Sequence, residues 1–343
     1  MSKKIEIGAD LGCAGKKFAW VENDKFVEFC RRSLVKAGKS TISFSRDTAA
    51  TSLLAGGEEW TVTPGMTDSE DTRYESYPYS PHNLALTYIS LLEAGFSDPE
   101  LEIEICCSLP LNHYFTSTGI NKVNIERKKK QFDIEVKNKS GNPLPKLVCK
   151  LITPEALAGF YDICFNVKGE RVLTPSQPIG VADIGGRTTD SAIILPDMSL
   201  VPEATGTIPL GYLDIIDQLN QILNQRYNTG KIDTYLLEQV MQSDDKKVSF
   251  FMDQEPVDIS EEIEQAHKYI ANKIMREIDK KLLSANRSLG GICYFGGSAQ
   301  AMRDELLKTQ NSFIPEKPQG SNARGNKIIL SLEQNNTKAK GEK

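Results

Sequence analysis

Residues 179–195 read IGVADIGGRTTDSAIIL: an apolar run from Ile179 to Ala182, the stretch Asp183-Ile184-Gly185-Gly186-Arg187-Thr188-Thr189-Asp190, and a second apolar run from Ser191 to Leu195. The short apolar runs on either side of a glycine pair predict a strand, an acidic turn and a return strand. The same pattern stands near the N-terminus. Lys4 to Asp10 (KIEIGAD) predicts a strand, Leu11-Gly12-Cys13-Ala14-Gly15-Lys16-Lys17 a tight loop, and Phe18 to Phe29 the return strands. A strand rather than a helix after the glycines excludes a P-loop or a dinucleotide fold, both of which need a helix there. A third glycine-rich element follows the strand Ile292–Phe295, where Gly296-Gly297-Ser298 leads into a helix through Met302 and Leu306.

Two strand–Asp–Gly-turn–strand units in one chain point to a duplicated nucleotide clamp. Glycines let backbone N–H groups approach phosphate oxygens from both sides. Asp10 and Asp183, at the strand ends, suit Mg²⁺ held through its own water shell. Lys17 and Arg187 supply positive charge for phosphates. A single Asp-x-Gly turn is usually only a turn, so the weight lies on the repetition and on the third element.

Between these units the sequence predicts a helix over Asn83–Ala94, a strand over Leu101–Leu109 that stops at Pro110, and a charged stretch over Lys122–Phe132. A strand over Leu147–Ile152 follows, closed by Thr153-Pro154, and then a helix over Glu155–Cys164. Residues 46–80 read as polar and irregular, with Gly56-Gly57 and a cluster of Tyr74, Tyr77 and Tyr79. Thr174-Pro175-Ser176-Gln177-Pro178 reads as a connector and sets the domain boundary. Leu213–Leu223 predicts a helix. The clearest amphipathic helix is Ile259–Leu283, with Ile263, Ile270, Ile274, Ile278 and Leu282 on one stripe and Asp258 with Glu261 as a capping box. Residues 334–343 read as a polar, unstructured tail.

A chain of 343 residues has room for two domains, each with a core of its own. Lys plus Arg number 41 and Asp plus Glu 46, a formal charge of −5, which disfavours direct, non-specific binding to nucleic acid. No apolar run approaches the length of a membrane helix, and the N-terminus lacks a secretory apolar core. Seven cysteines without paired CxxC spacing, and His82, His113 and His267 far apart, argue against a zinc site or a disulfide framework. The expectation is a cytoplasmic protein with several core cysteines, and with one side chain of the Cys106-Cys107 pair on each face of its strand.

The three glycine elements together resemble the actin–Hsp70–sugar-kinase superfamily, in which two α/β domains close over ATP. Other segments sharpen the resemblance. Cys107-Ser108-Leu109-Pro110-Leu111 with Tyr114, Asn124-Ile125-Glu126-Arg127-Lys128-Lys129, and Pro154-Glu155 with Ala158-Gly159 occur in the order of the ParM/StbA family, the bacterial actin-like plasmid-segregation proteins. Phe295-Gly296-Gly297-Ser298-Ala299 and Asn322-Ala323-Arg324-Gly325 continue that order. The resemblance implies a ribonuclease H-like fold of two domains, residues 1–174 with 324–343 returning to them, and residues 175–323. It implies binding of ATP or GTP with Mg²⁺ at Asp10, Gly12, Cys13, Ala14, Gly15, Lys17, Gly185, Gly186, Arg187, Thr188, Gly211, Gly296, Gly297 and Ser298. Asp10 and Asp183 would be the Mg²⁺-side carboxylates, and Glu155, with Asp183, would carry the catalysis by positioning the attacking water. Two departures stand out. Cys13-Ala14 occupies a place where close relatives carry hydroxyl residues, and Arg187 replaces a small hydroxyl residue.

What the resemblance implies is a filament-forming ATPase that segregates plasmid DNA through a ParR-like DNA-binding adaptor, with itself as its main partner and no membrane or direct nucleic-acid contact. Plainer readings stand beside it. Glu155 suits the first turn of a helix after Pro154. The charge run at 126–130 suits a solvated helix face. The tyrosines at 74–79 suit a loop that contacts a neighbouring subunit. The rivals are a small-molecule kinase of the same superfamily, for which Asp190 or Asp217 would be the base, an Hsp70-like chaperone module, for which the tail is too short, and a filament with other cargo.

Overall fold

The computed structural model describes residues 3–38, 51–63, 66, 69–139, 141–251, 255–283, 288–308 and 311–341. Strand β1 (Lys3–Leu11) turns back into β2 (Gly15–Glu22), and β2 into β3 (Lys25–Arg32). The chain then makes an arm hairpin of β4 (Thr51–Ala55) and β5 (Glu58–Val62) before helix α1 (Pro81–Glu93). It continues through β6 (Leu101–Leu109), α2 (Lys122–Gln131), β7 (Lys146–Pro154) and α3 (Leu157–Cys164). These strands form a sheet in the order β3-β2-β1-β6-β7, with β1, β6 and β7 parallel and the β1–β2–β3 meander antiparallel.

The second half repeats the plan. Strands β8 (Ile179–Ile184), β9 (Thr189–Ile194) and β10 (Gly206–Ile208) form the meander. Helices α4 (Tyr212–Tyr227), α5 (Thr234–Gln242) and α6 (Ser260–Leu283) lead to β11 (Gly291–Phe295), α7 (Gly297–Ala301), β12 (Ser312–Phe313) and the final helix α8 (Ser321–Gly341). The sheet order is β10-β9-β8-β11-β12, the same order and the same strand senses as in the first half. The architecture is two α/β domains of actin-like type.

Burial follows the patterns that build the elements. Ile263, Ile270, Ile274, Ile278 and Leu282 of α6 are all buried, packed with Ile215, Leu219 and Leu223 of α4 over one face of the second sheet. Ile103, Ile105 and Leu109 of β6 join Ile7 and Ala9 of β1 beneath α1. Between the sheets, Phe160 and Cys164 of α3 meet Val181, Ala192 and Phe295 of the second sheet, so α3 bridges the two halves. Helix α8 returns to pack on α3 and β1.

The structure corrects several expectations. Gly15, Lys16 and Lys17 are strand residues, so the first loop is only Gly12–Ala14. Residues 51–62 form a hairpin, because Leu53, Ala55, Trp60 and Val62 alternate onto a buried face and Gly56 and Gly57 take the positive φ angles of a tight turn. Residues 46–50, 64, 65, 67 and 68 lie outside the described residues. Tyr77 and Tyr79 are buried, not on a contact loop. The tail is helical to Gly341 as the end of α8. Asp258 accepts from the Ser260 N–H and hydroxyl, so it serves the start of α6 one position away from the predicted capping box.

Candidate functional site

The two hairpin turns face each other. An added Cβ on Gly186 would lie 2.3 Å from the Ala14 Cβ, so the loops touch and only glycine fits there. They enclose a cavity of about 60 Å³. Asp10, Gly12, Cys13, Ala14, Gly15 and Lys17 line one wall, Asp183, Gly185, Gly186, Arg187 and Thr188 the other, and Glu155 stands between.

Hairpin register decides what each aspartate meets. Asp10 pairs across the strands with Lys17, whose Nζ donates to Asp10 Oδ2 at 2.7 Å. Burial opposes the Lys17 charge, but Asp10 more than reverses this and holds the ammonium above its ordinary pKa. Asp183 pairs instead with Asp190. Burial, then the Asp10 charge, pushes the Asp183 carboxyl up to about 7. Burial likewise raises Asp190 to about 6, although its Oδ1 accepts from the Leu111 N–H at 2.8 Å and the Thr207 hydroxyl at 2.5 Å. Asp183 Oδ2 accepts from Asn322 Nδ2 at 2.5 Å, and the Asn322 carbonyl is fixed by the Gly159 N–H at 3.0 Å. Gly296, at φ 91°, lies against Asp183: a Cβ there would be 2.4 Å from Oδ1.

Glu155 directly follows β7, in a turn, and is not in the first turn of a helix. Its N–H bonds to Leu109 O at 2.8 Å, Ala156 takes a left-handed φ of 65°, and α3 begins only at Leu157. Burial and the carboxylates of Asp190, Asp10 and Asp183 raise its pKa well above the usual range, and its carboxyl hydrogen-bonds Asp190. In this state the Glu155 carboxyl therefore favours its protonated form, shared by hydrogen bond with Asp190.

Four predicted residues lie outside this cavity. Gly211 underlies the second loop and starts α4, whose Tyr212 and Leu213 N–H groups donate to Gly185 O and Gly186 O at 3.0 and 2.8 Å. Ser298 donates its hydroxyl to Gly185 O at 2.9 Å and is buried, so it braces that loop. Gly296 packs on Asp183. Gly297 lines a second cavity of about 400 Å³ that Lys17 also borders.

Other residues at the site were not foreseen. Tyr77, Pro78, Ser108, Pro110 and Lys128 line the cavity. Lys128 is 1% exposed, which overturns the solvated-face reading of the charge run at that position. Its ammonium donates to Pro78 O, Gln131 Oε1 and Asn83 Oδ1 at 2.6, 2.7 and 3.3 Å. Nothing in a run of basic residues marks the one that turns inward. Asp190 was legible in principle, since hairpin register places it opposite Asp183. As a kinase base it is unsuited, being engaged by Leu111 and Thr207, and Asp217 pairs with Arg73 at 2.7 Å near the surface.

The donor set fits a hydrated magnesium ion. Asp10 and Asp183 bring hard carboxylate oxygens from opposite walls, and among the described residues no group of three His, Cys, Asp or Glu side chains is set to hold a metal directly. Among the described residues, no helix is long and apolar enough to cross a membrane.

Comparison with known proteins bears on the fold. The family described as plasmid segregation protein ParM, N-terminal, matches residues 5–162, and archaeal actin homologue MreB-like, C-terminal, matches residues 181–308. No curated protein matches the chain. Among solved structures, the archaeal actin homologue Ta0583 superposes with a TM-score of 0.73 at 18% identity, covering 96% of this chain and 99% of its own, and it is also known in complex with ADP. A 15-stranded ParM filament from Clostridium botulinum gives 0.70 at 19% identity over 96% and 99%. Bacillus thuringiensis ParM with AMPPNP gives 0.65 at 15% over 97% and 100%. At these identities the superpositions establish the fold, which is actin-like, and the two family models match its N-terminal and C-terminal parts separately.

Proposed function

We propose that the protein is a nucleotide-dependent, filament-forming ATPase (or GTPase) that segregates plasmid DNA. The observation that carries the reading is the meeting of two duplicated Asp–Gly hairpins with Glu155 around one cavity. Backbone N–H groups of both loops, with Lys17 and Arg187, would grip the phosphates, and the nucleoside would extend toward Gly297 and the cavity it lines. The ADP and AMPPNP of two structures of this fold support a bound nucleotide. Asp10 and Asp183 would hold Mg²⁺ through its waters, the ion neutralising phosphate charge. Glu155 would orient the attacking water and, in its ionised form, take its proton.

Residues 1–174 with 324–343, and residues 175–323, would be the two bodies that close on the nucleotide. Arg73–Asp217 and the Arg32–Glu238 ion pair already span them. A triphosphate that binds the closed form more tightly than a diphosphate would favour the polymerising shape, and hydrolysis would reverse it. The ParM filament among the similar structures supports self-assembly, and a cytoplasmic location is part of the same reading. The acidic net charge suits an indirect link to DNA through a ParR-like adaptor rather than direct binding.

Light scattering and pelleting with Mg²⁺ and ATP, GTP, ADP or no nucleotide test the reading. Assembly above a critical concentration with a triphosphate, reversing as it is consumed, is the expected result. Glu155→Gln should slow hydrolysis by about 10²–10⁴-fold and prolong the polymer. A protein that binds ATP yet stays monomeric at high concentration would remove the filament claim.

A further inference from the structure

The first loop lacks hydroxyl side chains at Cys13-Ala14, yet its four successive carbonyls are all tied down. Leu11 O accepts from Lys16 Nζ and Asn83 Nδ2, each at 3.1 Å. Gly12 O accepts from Lys16 Nζ at 3.1 Å and the Ser33 hydroxyl at 2.9 Å. Cys13 O accepts from the Thr72 hydroxyl at 2.8 Å, and Ala14 O from the Ser33 N–H at 3.0 Å. In a trans peptide the N–H points opposite to the carbonyl before it, and no peptide bond among the described residues is cis. Four carbonyls drawn into the protein therefore turn the N–H groups of Gly12, Cys13, Ala14 and Gly15 toward the cavity these residues line.

Lys16 is the central donor. It alternates along β2 with Lys17: Lys17 faces the cavity, whereas Lys16 is fully buried behind the loop. Its ammonium also donates to Tyr77 Oη at 2.7 Å and lies 4.5 Å from that ring's centre. Asn83 links Lys128 to the same loop, accepting from Lys128 and donating to Leu11 O. Burial, then the Lys128 charge, holds the Lys16 ammonium well below its ordinary pKa. A buried lysine is a costly way to support a loop that has no use for it.

We propose that Lys16 is a positioning residue for phosphate binding: it holds the Leu11 and Gly12 carbonyls away from the cavity, so that the first loop grips the nucleotide's phosphates through backbone N–H groups alone. The side chains the loop lacks are replaced from behind, by Lys16 with Ser33, Thr72 and Asn83. The inference rests on the nucleotide-binding reading of the preceding section.

The test is titration of wild type, Lys16→Met and Thr72→Val with a fluorescent ATP analogue in Mg²⁺, alongside thermal melting of the nucleotide-free proteins. Lys16→Met should weaken binding by about tenfold or more and raise KM more than it lowers kcat, while its melting temperature holds or rises as a buried cation is removed. Thr72→Val should weaken binding less, with the same separation from stability. Should Lys16→Met fail to fold, Thr72→Val and Ser33→Ala decide by the same criterion. Wild-type binding with folded variants within twofold of it overturns this proposal alone. A wild type that binds no nucleotide overturns the nucleotide reading, and this proposal with it.

Discussion

The two phosphate-facing hairpins share a sequence pattern and a place in their sheets but are held in different ways. The first loop is braced by side chains, Lys16, Ser33, Thr72 and Asn83, reaching its carbonyls from four separate segments. The second is braced largely by backbone: the Tyr212 and Leu213 N–H groups at the start of α4 take Gly185 O and Gly186 O, and Ser298 adds one hydroxyl. Their aspartates differ too. Asp10 faces the cation Lys17, whereas Asp183 faces Asp190 and the neutral amide of Asn322. One hairpin is pre-neutralised and the other accumulates negative charge. On a shared scaffold, different residues at a few register positions give the two halves opposite electrostatic characters.

The strongest way to break the pairing is at the point where the loops touch. Gly186→Ala places a methyl 2.3 Å from the Ala14 Cβ and 3.2 Å from its backbone nitrogen, and should lower nucleotide affinity by about 100-fold. Ala14→Gly in the same protein should restore part of it, read by the same fluorescence titration. No recovery would mean that the loops are not in contact as described.

Acid–base behaviour sharpens the electrostatic difference. The Asp190 carboxyl stands at about 6 in the folded protein, above its unfolded value near 4, so the folded state binds more protons in that window. Its contribution to stability is therefore full below pH ~4 and is lost as pH rises through ~6. Denaturant melts of the nucleotide-free protein from pH 4 to 8 should show a decline that Asp190→Asn flattens. An unchanged slope would sink the assignment. The isosteric amide keeps the oxygen that Leu111 and Thr207 address, so the fold should be retained.

Smaller effects follow at the braces. Ser298→Ala removes one of the two kinds of donor on Gly185 O and should cost about 1 kcal/mol in thermal or chemical unfolding, with the helix N–H groups remaining. This loss should be milder for nucleotide binding than that of Lys16→Met. Arg73→Ala severs a partly exposed pair between the halves and should change stability by under about 1 kcal/mol, less still at high salt. A large salt-independent loss would show that the clasp does more than hold two surface charges.

Much of this was legible because it is local. Strand–Asp–Gly–strand patterning predicts both hairpins, the 3.6-residue stripe predicts α6, and nearly all residues expected at the phosphates line one cavity. The arm hairpin at 51–62 was also legible, since Leu53, Ala55, Trp60 and Val62 keep a period of two around Gly56-Gly57, but the polar residues beside them hid it. Ser298 and Gly211, expected at the nucleotide, pack against the second loop and do not line this cavity.

The sequence by itself determined the two hairpins, the amphipathic helices and the residue types at the loop tips, because propensity, periodicity and turn chemistry act over a few neighbours. Only the tertiary structure decided which lysine of 126–130 turns inward, that Lys16 braces the loop from behind while Lys17 enters the cavity, and that Asn322 addresses Asp183. Those contacts join residues far apart in the chain, 45 positions for Lys128 and Asn83 and 139 for Asn322 and Asp183. A buried charge is settled by whichever carbonyls and amides packing brings within reach, and no local pattern of residues encodes that.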